Sequence, residues 1–127
     1  MVASWPPWRL LRPFSCCGAR EGALQTFRPP ADVAAAARYG LELRASMPPS
    51  RRAGTPVGIR RAVQLANRQP VSENTLRRMR SYFRRHAVDA RGEGWGEDSK
   101  GWQAWLLWGG YEGQDWCEDI LAELEGA

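Results

Sequence analysis

A chain of 127 residues with 43% hydrophobic content has the size of one domain with a modest core. No apolar run approaches the roughly 18 residues a bilayer span needs, which excludes a transmembrane segment. Three cysteines without a C-x-x-C spacing argue against a zinc site or a disulfide framework, and fit reduced thiols in a cytoplasm.

The net charge of +4 conceals a segregation. Residues 1–54 carry net +5, residues 55–91 net +7, and residues 92–127 net −8. Either the basic and acidic parts pair with one another or a basic face meets an anionic partner. Seventeen of the 18 basic residues are arginine, which suits bidentate contacts to carboxylate or phosphate. A high-GC genome would produce the same bias without a function.

Residues 1–28 hold Pro6, Pro7 and Pro13 and show no sustained period. Three arginines without an acid in the first 20 residues faintly suggest a targeting peptide, but the prolines spoil the amphipathic helix it requires. The segment reads instead as an extended arm whose Trp5, Trp8, Leu10, Leu11 and Phe14 need a partner surface to cover them.

A helical domain is expected over residues 29–127. ADVAAAARYGLELRAS is alanine-rich and helical, with Asp32 as its cap and Gly40 as a weak point. After the linker SMPPSRRAG, Thr55-Pro56 starts a second helix on which Ile59, Val63 and Ala66 share a face, with Ala62 and Leu65 alongside. Ser72 caps the third helix, where Leu76, Met79 and Phe83 form one apolar stripe among five arginines. GEGWGEDSKG is a turn rather than a phosphate loop, since no strand precedes it. Asp98 or Ser99 then caps GWQAWLLW, with Trp102, Trp105 and Leu106 on one face. Gly109-Gly110 separates it from a last helix carrying Trp116, Ile120 and Leu124, with Cys117 and Leu121 beside them. No alternating strand pattern occurs. The expected fold is all-α: a small bundle of about four to five helices with an extended N-terminal arm.

Few residues suggest chemistry. His86 and Asp89, three apart, could hold a metal or support acid–base work, but the chain has no other histidine and no serine or cysteine placed as a nucleophile. A histidine in the last turn of a helix also suits terminal carbonyls and the helix dipole. No catalytic residue, metal or cofactor is expected. The tryptophans of AWLLWGG and DW could stack on bases, yet they lie in the acidic third of the chain, which favours core packing.

GTPVGIRRAVQLANRQPVSENTLRRMRSYFRRHAVD, followed by GEGW and AWLLWGGYEGQDW, resembles a small helical module of tailed-phage and prophage proteins. There GT-x-VG-x-x-RA opens one helix, S-x-x-T-x-RRM-x-SYF-x-RH-x-VD forms the next, and AW-x-LWGG-x-x-G-x-W ends the module. The likeness runs from about Pro29 to Ala122. It departs between Gly96 and Trp102, where EDSKG replaces a longer YPSAG-like insert, and the arm has no counterpart.

The module keeps company with head-assembly and virion products. The resemblance therefore implies a virion structural protein made in the host cytoplasm: a capsid-associated accessory or cement protein, or a connector component. Its partners would be the major capsid protein or connector components. The alternative is a nucleic-acid-binding module, because two helices joined by RQPVS have helix-turn-helix proportions. Few base-reading groups accompany the arginines, so that contact would be weak and non-specific. An enzyme has almost no support. Some arginines of the third helix should meet the acidic C-terminal helices, leaving Arg77, Arg78, Arg84 and Arg85 as the basic face for a partner.

Overall fold

The computed structural model describes residues 25–126, so Trp5, Trp8, Leu10, Leu11 and Phe14 lie outside the described residues. The described fold is all-α apart from one two-residue strand pair. It contains β1 (Thr26–Phe27), α1 (Ala31–Ser46), α2 (Pro56–Ala66), β2 (Val71–Ser72), α3 (Glu73–His86), α4 (Lys100–Leu107) and α5 (Gly110–Gly126). Short 3-10 turns occupy Pro49–Arg51 and Ala87–Arg91.

The helix starts are local. Thr55 Oγ1 accepts from the Gly58 N–H at 3.1 Å, Ser72 Oγ from Thr75 at 3.2 Å and Ser99 Oγ from Trp102 at 3.1 Å. Each hydroxyl satisfies an amide that has no partner within its helix. Asp98 is not the cap of α4; it pairs with Arg51 at 3.1 Å. Nor does Asp32 cap α1. Pro30 is the N-cap there, and Asp32 sits in the first turn, accepting from the Val33 N–H at 2.7 Å.

α1 packs on α2, α4 and α5, while α3 packs chiefly on α5. Gly40 is the crossing point of α1 and α4, since a Cβ there would lie 2.8 Å from Leu106 Cβ. The glycine that weakens an isolated helix is what lets two backbones meet. At the other end Gly109 and Gly110 adopt φ of 114° and 68°, turning α4 directly into α5.

One cluster forms the core. Leu76, Met79 and Phe83 are fully buried with Trp105, Trp116, Ile120, Leu121 and Cys117. Leu106 is buried as well, whereas Trp102 is only partly covered. The inner face of α2 is shifted from the one expected, with Ile59 and Ala66 only partly covered at its edge. Gly58, Ala62 and Leu65 are buried, and Val63 is 44% exposed. Small residues sit on the contact side because α2 lies close to its neighbours; Gly58 leaves room for the Trp108 indole.

Two further departures come from long-range contacts. Thr26 and Phe27 pair antiparallel with Ser72 and Val71, and both Phe27 and Val71 join the core. The domain therefore begins at or before Thr26, and a boundary after residue 28 cuts off one of its core residues. Gln103 is wholly buried on α4. Its Oε1 accepts from the Ala53 N–H at 3.0 Å, and its Nε2 donates to the Arg51 and Asp98 carbonyls at 3.0 Å each. This amide ties the loop before α2 to the turn before α4.

Candidate functional site

The arginines do three different jobs. The first is bracing. Arg44 donates to the Ala53 carbonyl at 2.6 Å, Arg68 to Pro29 at 2.8 Å and Arg38 to Ala66 at 3.1 Å. These contacts satisfy carbonyls at helix ends and loops.

The second job is pairing along α3. Leu76, Met79, Tyr82 and Phe83 face inward, which places Arg77, Arg80 and Arg84 beside the acids of α5. Arg77 meets Glu73 and reaches Glu125 at 2.9 Å. Arg80 donates to Glu125 through both terminal guanidinium nitrogens at 3.1 and 2.9 Å, and Arg84 donates to Glu118 at 3.2 and 3.1 Å. The Arg80 hydrogen bonds, followed by those of Arg77, hold the Glu125 carboxyl below its usual range. Bonds to Glu73 and then Glu125 raise Arg77.

The four arginines assigned to a basic face thus divide. Arg77 and Arg84 are tied to carboxylates of the same chain. Arg85 donates only to Ser81 Oγ, at 3.3 Å, and Arg78 has no hydrogen-bond or ion-pair partner among the described residues. The reason is antiparallel packing: Glu125 and Glu118 recur on α5 at the seven-residue spacing of Arg77 and Arg84.

The third job is stacking. The Arg61 guanidinium lies 5.7 Å from the Trp108 ring, Trp108 stacks on Tyr82 at 4.9 Å, and Tyr82 stacks on His86 at 4.5 Å. Burial, followed by the charges of Arg78 and Arg60, lowers the Arg61 pKa. The His86 Nδ1 lies 3.1 Å from Asp89 Oδ2, closing the column. That pair has no third ligating group, since no cluster of three or more metal-ligating side chains occurs among the described residues. The column joins α2 to α3 through side chains.

Backbone packing does not join them. α2 rests on α1 and α4, and α3 on α5, with no substantial contact between α2 and α3. The helix-turn-helix proportions seen in the sequence are therefore not realised as a packed helix-turn-helix pair. Cys117 is buried, and burial followed by the Glu118 charge pushes its thiol up to about 12, so the free thiolate is suppressed.

Trp95, Trp102 and Trp105 form an aromatic cluster with Tyr111. Trp95 meets Trp102 and Trp105 edge to face at 5.0 and 5.3 Å, and Trp95 Nε1 donates to Tyr111 Oη at 3.1 Å. Beside this cluster runs a groove of about 410 Å³, lined by Tyr39, Trp102, Leu106, Tyr111, Asp32 and Glu112 among others. Sequence reasoning missed it. Its only local sign is that Asp32 and Tyr39 lie seven residues apart on one face of α1. No helix among the described residues is long and apolar enough to cross a membrane.

Comparison of the chain with protein-family models, curated proteins and solved structures finds no match.

Proposed function

We propose that the protein is a structural component of a tailed-phage virion, acting through protein–protein contacts as a capsid-associated accessory or cement protein or as a connector component. The observation that supports this reading is the division of the surface. One compact domain carries a cationic edge at Arg78 and Arg85 and, elsewhere, an aromatic groove flanked by Asp32 and Glu112. Many of the other polar side chains brace the fold itself, as with Gln103 and the paired arginines of α3. Two chemically distinct surfaces suit a subunit that touches neighbours on more than one side. The resemblance to the phage module supplies the setting, with the major capsid protein or connector components as partners. Trp5, Trp8, Leu10, Leu11 and Phe14 add apolar side chains that need a surface to cover them.

Mass spectrometry of purified particles against host lysate tests this reading. Enrichment of the chain in particles, at a fixed ratio to the major capsid protein, is the expected result; its recovery only from the lysate would refute a virion role.

Arg78 and Arg85, with Arg60 and Arg61 nearby in charge, favour nucleic acid as a second reading. Arg78→Gln with Arg85→Gln would then flatten the dependence of affinity on salt by about two phosphate contacts. Binding that is strong for one sequence at physiological salt would move this reading to first place.

A further inference from the structure

The aromatic groove lies beside a set of carboxylates that have no basic partner among the described residues. Asp32 comes from α1, and Glu112, Asp115 and Asp119 recur along α5 at i, i+3 and i+7. Of these only Asp32 makes a hydrogen bond among the described residues, to the Val33 amide. Burial, followed by the charges of Asp119 and Asp32, raises the Asp115 carboxyl, so an unneutralised negative field lies on this side of the domain. Tyr39 and Tyr111 are 49% and 47% exposed, and both line the groove with Trp102. Aromatic rings beside carboxylates suit prolines and arginines: proline rings lie flat on aromatic faces, while guanidinium groups stack on rings and pair with carboxylates.

We propose that this groove binds the chain's own segment of residues 5–13, WPPWRLLRP, folded back in cis. The segment supplies Pro6, Pro7 and Pro13 for the rings and Arg9 and Arg12 for the carboxylates, and the first 20 residues contain no acid. The tether is long enough. Eleven residues lie between Pro13 and Gln25, a reach of up to about 40 Å when extended. Gln25 in turn lies only seven residues before Asp32, the first residue of the groove. A tether this short gives an effective concentration in the millimolar range, which favours the chain's own segment over one from a second copy. This inference stands apart from the virion reading, because the arm can rest in the groove whatever the setting.

Photo-crosslinking of the full-length chain tests it. Protein carrying Tyr39→p-benzoylphenylalanine is irradiated as an equal mixture of light- and heavy-nitrogen-labelled chains, and peptide mass spectrometry locates the products. Cross-links into residues 5–13, within chains of a single label, are expected. Tyr111→p-benzoylphenylalanine should give the same segment from the other side of the groove. Arg9→Glu with Arg12→Glu should lower the yield about fivefold, and adding Asp32→Lys with Glu112→Lys should restore it. Cross-links elsewhere, products of mixed label, or a yield indifferent to charge reversal would each overturn the proposal.

Discussion

The two sides of α5 carry the same kind of side chain in opposite situations. Toward α3, Glu118 and Glu125 accept hydrogen bonds from Arg77, Arg80 and Arg84. On the other side Glu112, Asp115 and Asp119 have no cation among the described residues, and Asp32 of α1 joins their field. The first side is internally neutralised, so it offers an outside partner little net charge. The second keeps its charge for whatever approaches. Among the described residues the charge segregation is therefore partly absorbed by the fold and partly left on its surface.

The largest expected effect tests what holds the neutralised side together. If α3 is fixed to α5 by packing and not by its ion pairs, Phe83→Ala should cost about 3–5 kcal/mol, because a fully buried ring leaves a cavity. Chemical denaturation measures it, and a variant as stable as the parent would mean that the arginine–glutamate pairs dominate. Next comes the brace near Asp98, remote from those pairs. Gln103→Leu would remove three hydrogen bonds and leave the Ala53 N–H and two carbonyls unsatisfied, at a cost of about 2–4 kcal/mol. Amide hydrogen exchange should then rise at Ala53 in particular.

The smallest effect sharpens the comparison most, because its sign differs between the two sides. The Glu125 carboxyl titrates below its usual range when folded, so its contribution is present above the unfolded value of 4.5 and is lost as the pH falls through the folded value. Glu125→Gln should thus lower the melting temperature at pH 7 and lose that effect in acid. The Asp115 carboxyl is raised when folded, so its contribution is present below the unfolded value of 3.8 and is lost as the pH climbs through the folded value. Asp115→Asn should raise the melting temperature slightly at pH 7, with the gain vanishing below about pH 4. Thermal melts across this pH range read both variants, and equal signs at pH 7 would erase the distinction between the two sides.

What the sequence made legible was local. The caps at Thr55, Ser72 and Ser99 depend on bonds spanning three residues, and the stripe of α3 depends on helical period alone. On α2 the buried line runs through Ala62 and Leu65, with Ile59 and Ala66 partly covered at its edge; Val63 was misplaced and Gly58 was missed, because close approach favours a small residue there. Gln103, the strand pair and the groove rest on contacts between residues about 45 to 80 positions apart in the chain, for which no local pattern exists. The pairing of Arg77 and Arg84 belongs to the same class. Sequence charge predicted that some arginines of α3 would meet the acidic helices, but only the packing of α3 on α5 decides which.

The pairing of β1 with β2 has a mechanical consequence. Two residues on each strand are too few to hold the chain closed by backbone bonds alone, so the clasp is fastened from inside by Phe27 and Val71 in the core. The start of the described chain is therefore held by a buried phenylalanine rather than by a surface loop. Force applied at Thr26 would have to draw Phe27 out of the core before it could open the strand pair.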